Sequence, residues 1–500
     1  MLTHRASGIL LHPTSLPGRF GLGSLGKEAR RFIDFLADSQ QSVWQILPLG
    51  PTGYGDSPYN ALSAFAGNPL LVDLEDLVVN GDLDAADLKG IDFEEGTAHF
   101  SQAHLVKDRL LRKGATTFFR QGATNRASAF ARFTEEQGYW LHDYALFKAL
   151  RNHFSGQSWS QWPEALRRRQ PQALQSWGED LAEPILFEKY AQFVFFEQWF
   201  SLKAHAHGRG VRIMGDIPIF VAFDSADVWA NPHLFYLDEN QNPTLVAGVP
   251  PDYFSTTGQR WGNPLYNWER LEEQDFSWWL ARFRWNLALT DLVRIDHFRG
   301  FESYWAIPAT EKTAVGGHWR PAAGRKLFQT LQAALGSLPL IAEDLGVITP
   351  EVEALRDDFA FPGMKILQFA FGSGPRNPYL PHNLTRNCVI YTGTHDNNTT
   401  LGWWKALAAA EKTAVKHYLG SSLRDMPWDL IRCALSSVAG LCILPMQDIL
   451  GLDASARMNT PGTSSGNWGW RFCGEQMTND KGAGLAELTR LYGRAPFSGE

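Results

Sequence analysis

DLVRIDHF, residues 291 to 298, is a short β-branched run closed by an acid, and its reading decides the fold. A run this short, largely apolar and stopped by polar residues, reads as a strand buried on both faces, the kind that parallel sheets use. The same form recurs along the chain as SGILLHPTS (7 to 15), VWQILPLG (43 to 50), VRIMGDIP (211 to 218) and LPLIAEDL (338 to 345). MKILQFAF (364 to 371), NCVIYTGTHD (387 to 396) and LCILPMQDI (441 to 449) bring the number to eight. Amphipathic stretches such as GKEARRFIDFLADSQ (26 to 40) and WERLEEQDFSWWLARFRWNLAL (268 to 289) lie between several of them and predict helices. Eight strands alternating with helices make an α/β chain, a (β/α)8 TIM barrel.

Two stretches break the rhythm. Residues 51 to 210 are charged and amphipathic over much of their length and predict an inserted, mainly helical subdomain after the second strand. Residues 219 to 267 are rich in Gly, Pro, Asn and aromatics and predict a long functional loop after the third. Residues 1 to 500 are thus expected to form one barrel with two insertions.

A barrel carries its chemistry at the carboxyl ends of its strands. Four of the runs reach an acid there: Asp216, Asp296, Glu343 and Asp396. A single acid in such a place is better explained as a helix or loop cap, a role open to Asp344. Four on one rim are different, because like charges repel and are retained for chemistry. Several carboxylates without metal-ligand spacing suit glycosyl transfer, in which one attacks the anomeric carbon and another protonates the leaving oxygen. In the retaining form the two stand ~5–5.5 Å apart, a gap that neighbouring strands can span. Asp296 and Glu343, on strands four and five, are the natural pair.

Neighbouring residues divide the roles. Arg294 shares a strand face with Asp296 and holds it as the charged nucleophile. Glu343 follows the apolar LPLIA, and burial beside other acids favours its protonated form as general acid. Asp396 is left to bind sugar hydroxyls and favour a distorted ring. Most of the 14 histidines read as structural, but His297 and His395 each abut a strand-end aspartate and are candidate sugar ligands.

Composition agrees with a neutral substrate. A net charge of −7 with no basic block argues against nucleic acid. The 19 Trp, 32 Phe and 13 Tyr often sit beside Gly, Pro and Asn, as in WGNPLYNW (261 to 268). Such aromatics serve either as core filling or as flat faces for pyranose rings. Cys388, Cys433, Cys442 and Cys473 show no ligand spacing and read as thiols of a reducing compartment. No signal-peptide core and no apolar span of ~20 residues is visible, so a cytoplasmic protein with no membrane contact is expected. No metal site and no cofactor are expected; oligomeric state is not legible.

At these residues the chain resembles the amylomaltase or disproportionating-enzyme family, the 4-α-glucanotransferases of glycoside hydrolase family 77. RIDHFRGFESYW (294 to 305), IAEDLG (341 to 346) and TGTHDNNTT (392 to 400) are similar to its nucleophile, acid/base and third-carboxylate segments. GDIPIFVAFDSADVW (215 to 229), GVPPDYFSTTGQRWGNPLYNW (248 to 268), RMNTPGTSSGNWGWR (457 to 471), HPTSLPG (12 to 18) and GPTGYGDSPYN (50 to 60) extend the match end to end. The resemblance implies a retaining barrel enzyme acting on α-1,4-glucans and maltooligosaccharides, with glucose as an acceptor. It implies Asp296 as nucleophile, Glu343 as acid/base and Asp396 as transition-state stabiliser. Arg294, His395, Asp216, Ser57 and Tyr59 would surround the reacting sugar. Tyr253 and Trp261 would lie in a lid over the glucan, Asn467 in the matching C-terminal segment, and Tyr54 at a second glucan position. The chain begins almost at its first strand, as the compact form of the family would. An α-amylase-like hydrolase with the same carboxylates, or a silent glucan-binding protein, are the alternatives; an aromatic lid that excludes water favours transfer.

Overall fold

The computed structural model describes residues 4–251, 255–420, 422–423 and 425–496, and of Tyr54 only the backbone. Numbered in chain order, the strands are β1 (Ala6–Leu10), β2 (Val43–Gln45), β3 (Arg212–Pro218), β4 (Leu245–Val249), β5 (Gln259–Pro264) and β6 (Leu292–Asp296). They continue with β7 (Ser303–Pro308), β8 (His318–Pro321), β9 (Leu340–Ala342), β10 (Gly363–Ile366), β11 (Cys388–Tyr391) and β12 (Leu441–Pro445). Eight of them, β1, β2, β3, β6, β9, β10, β11 and β12, close into a parallel barrel in the order in which the chain visits them. Each of the eight apolar runs in the sequence overlaps one.

The period of two along each strand sorts its side chains. Leu10, Val43, Met214, Leu292, Ile341, Val389 and Ile443 meet in a cluster inside the barrel. Their alternates Ile9, Trp44, Ile213, Val293, Ala342, Ile390 and Cys442 join the larger core under the helices. Asp216 is in step with Met214, Arg294 and Asp296 with Leu292, and Glu343 with Ile341, so all four point inward at the upper end.

The helix Lys27–Asp38 buries Ala29, Phe32, Ile33 and Leu36, the stripe its sequence period dictates. The stretch 268–289 is not one helix: it divides into Trp268–Glu273 and Ser277–Leu289. Asp275 and Phe276 take left-handed φ of 49° and 52° between them, and the turn buries the Phe276 ring. Between β2 and β3 the chain forms helices that include Phe100–Arg120, Asn125–Glu136 and Gly138–His153. The last of this region, Ala182–Gly208, packs against Lys27–Asp38, Ser277–Leu289 and β3, and so belongs to the barrel wall as much as to the insertion.

The stretch 219 to 267 differs from its reading as a loop. It contributes β4 and β5 to an antiparallel sheet ordered β5-β4-β7-β8. The partner strand β7 lies beyond β6, so no local pattern announces the pairing. QRWGNP makes a poor strand by propensity and is tolerated because β5 is an edge.

Candidate active site

The site is assembled by register. Across β3 and β6, Asp216 stands opposite Arg294 and Pro218 opposite Asp296. Across β6 and β9, Ile295 stands opposite Ala342, so Asp296 and Glu343 are the next step of one parallel ladder. Adjacent strands lie about 4.8 Å apart, which puts the two acids on neighbouring positions of the same rim.

Arg294 is the electrostatic centre. Its Nη1 donates to Asp216 Oδ2 at 2.6 Å and its Nη2 to Asp296 Oδ1 at 2.9 Å. Its side chain is 4% exposed and that of Asp216 0%, while Asp296 keeps 29% of its side chain open to the cleft. Tyr59 Oη donates to the same Asp216 oxygen at 2.7 Å. Burial raises the Asp216 carboxyl above its usual range, against the pull of the arginine. The other Asp216 oxygen, Oδ1, is buried without a partner among the described residues.

Glu343 is half-buried, and its carboxylate accepts the backbone N–H of His297 at 2.7 Å and that of Leu345 at 3.3 Å. His297 immediately follows Asp296 and takes a left-handed φ of 53°. That strained turn aims its N–H at Glu343 and ties the two acids together. Burial, reinforced by the Asp296 charge, pushes Glu343 well above the ordinary carboxylate range; Arg294 opposes this without cancelling it. Burial also pushes the His297 imidazole down to about 4, so the ring is neutral at physiological pH. Its Nε2 is without a partner among the described residues.

Asp396 lies beyond β11 with its side chain 42% exposed. Asn459 Nδ2 donates to its Oδ1 at 2.6 Å, and His395 Nε2 lies 3.4 Å from the same oxygen. His395 is buried and stacks on Tyr59, ring centres 5.2 Å apart at 15°; burial lowers its pKa.

Above the acids opens a cleft of about 630 Å³ lined by Ser57, Tyr59, Phe220, Trp261, Asp296, His297 and Thr463. Trp261, on edge strand β5 and 39% exposed, meets the His297 ring at 4.9 Å. An open cleft with aromatic walls, with Asp296 and the neutral ring of His297 in its lining, suits a ligand dense in hydroxyl groups.

The remaining expected residues divide. Asn467 spends its amide inside its own loop, accepting from Thr460 N at 2.9 Å and donating to Thr463 Oγ1 at 3.0 Å, and Thr463 is the residue of that loop that lines the cleft. Tyr54 begins a 3-10 turn, Tyr54–Asp56, and Tyr253 lies outside the described residues. Asp344 does not cap a helix: it accepts the Met364 N–H at 2.7 Å and pairs with Arg356, fastening β9 to β10. Three residues were not singled out in the sequence. Asn459 and Arg457 hold Asp396 from a segment 63 and 61 positions away, a separation with no local signal. Asp448 lies near the end of the eighth run, three residues past β12 in the short helix Met446–Leu450, so an extended strand-end rule could have found it. It is buried and clamps the Asp396 loop, accepting from Thr392 Oγ1 and Thr400 Oγ1 at 2.6 Å each and from Thr400 N at 2.8 Å.

Fold and site together define a (β/α)8 barrel with carboxylates gathered at the ends of neighbouring strands. The chain belongs to the 4-alpha-glucanotransferase family, whose model matches residues 11–476. It is 52% identical over 499 residues to a 4-alpha-glucanotransferase of Synechocystis sp., covering 99% of both chains. With the Thermus thermophilus 4-alpha-glucanotransferase it shares 52% identity over 498 residues, 98% of this chain and 99% of the relative. Its fold is similar to that of an amylomaltase from Streptococcus agalactiae solved in complex with acarbose, at a TM-score of 0.96 and 40% identity, covering 98% of this chain and 100% of that one.

Proposed function

We propose that this member of the family moves segments of α-1,4-glucans and maltooligosaccharides onto the 4-hydroxyl of glucose or of another glucan, by a retaining double displacement. Asp296 attacks the anomeric carbon while Glu343 gives its proton to the glycosidic oxygen. The bond from carbon to that oxygen breaks, and the reducing-end fragment leaves. The glucosyl-Asp296 ester then meets an acceptor: Glu343, now a carboxylate, takes the proton of its 4-hydroxyl as that oxygen displaces Asp296.

The observation that carries this reading is the ladder of Asp296 and Glu343 with Arg294 beneath them. Arg294 donates to Asp296, whereas among the described residues Glu343 has backbone donors alone, and its pKa is raised. The two environments separate nucleophile from acid. Asp396, Tyr59, Ser57, His297 and His395 are read as contacts to the distorted sugar, and the buried Asp216 and Arg294 as the ion pair that holds Asp296 beneath it. Trp261, Tyr253 and Asn467 belong to the cover over the glucan, and Tyr54 to a second glucan contact. That cover favours a sugar hydroxyl over water, which stands at about 55 M outside a closed site.

The reading includes a cytoplasmic location. Four unpaired cysteines support it, and among the described residues no helix is long and apolar enough to cross a membrane. Incubation with maltotriose tests the activity. Glucose and longer maltodextrins at constant total reducing ends are expected; a steady rise in reducing ends would make the enzyme a hydrolase instead.

A further inference from the structure

We infer that Asn459, braced by Arg457, is a positioning residue that aims Asp396 at the reacting sugar; the inference rests on the role read above for Asp396. Asn459 Nδ2 donates to Asp396 Oδ1 at 2.6 Å. Arg457 Nη2 donates to the Asp396 main-chain carbonyl at 2.7 Å, and Arg457 Nε to the Asn459 carbonyl, also at 2.7 Å. Asn459 N closes the frame on the His395 carbonyl at 3.1 Å. One three-residue segment following β12 therefore holds both the backbone and the carboxylate of a residue that follows β11.

Asp396 needs such a frame. Its side chain is 42% exposed and lacks the arginine that fixes Asp296. An aspartate on an open loop otherwise samples several rotamers, and a group placed 1 Å away from its working position loses most of its effect. Engaging Oδ1 through Asn459 leaves Oδ2 with no hydrogen bond among the described residues, free for a sugar hydroxyl. A carboxamide suits the task because it orients the carboxylate without neutralising it, as an arginine or lysine in its place would. The same segment runs on through Thr460 into the loop whose Thr463 lines the cleft, so the aim of Asp396 and the cover of the site share one anchor.

Calorimetric titration with acarbose, which needs no turnover, tests this as a double-mutant cycle of Asn459→Ala and Asp396→Asn. A charge-assisted hydrogen bond of this kind corresponds to a loss of about 10- to 100-fold in affinity for Asn459→Ala alone. In the Asp396→Asn background the same change should cost no more than about threefold, because Asn459 acts through the carboxylate. Equal weakening in both backgrounds, or unchanged affinity in Asn459→Ala, overturns the inference. An Asp396→Asn variant that binds acarbose as tightly as the parent overturns the role of Asp396 itself, a different and separable failure. Asn459→Ser serves as a second variant in case the alanine does not fold. It should lower kcat for maltotriose by about tenfold or more at nearly unchanged KM; a rise in KM at constant kcat contradicts the positioning role.

Discussion

Arg294→Lys probes the electrostatic centre of the site. The guanidinium makes two charge-assisted hydrogen bonds at once, to a fully buried Asp216 and to a partly open Asp296, from a side chain 4% exposed. A lysine keeps the charge but presents it as a point without a planar fork, so it serves one carboxylate well and the other poorly. Desolvation favours pairing with Asp216, which has no access to water, and leaves Asp296 without its donor. One hydrogen bond to a charged group is worth about 1.5–3 kcal/mol, and each 1.4 kcal/mol is roughly tenfold in rate. The expected loss in kcat/KM is therefore about 10- to 100-fold. Stability should fall by a similar free energy, which for a chain of this size lowers Tm by only about 2–3 °C. Glucose release from maltotriose and scanning calorimetry measure the two quantities. A variant that keeps more than half of the parental kcat/KM would refute the argument, and a collapse in Tm with little change in rate would make Arg294 a structural residue only.

Trp261→Ala strips the exposed ring that meets His297, and should raise the share of hydrolysis over transfer in maltotriose digests several-fold; an unchanged ratio would remove the cover from the explanation. In the proposed mechanism Glu343 is protonated when the leaving group departs, and its pKa is raised. The kcat/KM profile should therefore stay high through the ordinary carboxylate range and fall only as pH rises through that raised value, on the alkaline side of neutrality. A profile already declining near pH 4.5, the ordinary value for a glutamate, contradicts that assignment. Asp448→Asn sets an amide against three donors from Thr392 and Thr400 and should lower Tm by about 2–4 °C together with kcat, because the clamped loop carries Asp396. Loss of neither would show that the loop is held elsewhere.

The barrel is legible because burial on both faces forces its strands into apolar runs, and because the strand-end rule picks out Asp216, Asp296 and Glu343 together. Arg294 is legible for the same reason: two positions along a strand is a fixed geometry. The antiparallel sheet is not, since β4 takes its register from β7 across an intervening barrel strand and β5 is spelled in Gly, Asn and Pro. The break at Phe276 is equally hidden, because an apolar side chain in a left-handed turn leaves the helical period intact on either side. The frame around Asp396 joins residues about 60 positions apart, and only the parallel pairing of β11 with β12 brings them side by side. Asp448 shows the limit of the strand-end rule itself: its acid is turned wholly to a structural purpose.

In the proposed double displacement Asp296 forms a covalent bond to the sugar while Glu343 handles the proton. Trapping tests it most directly: Glu343→Gln is incubated with an activated glucosyl fluoride, and the digested protein is read by mass spectrometry. A single glucosyl adduct on the peptide that contains Asp296 is expected, with turnover restored by a small external nucleophile such as azide. An adduct on another carboxylate, or no adduct together with inverted product configuration, would contradict it.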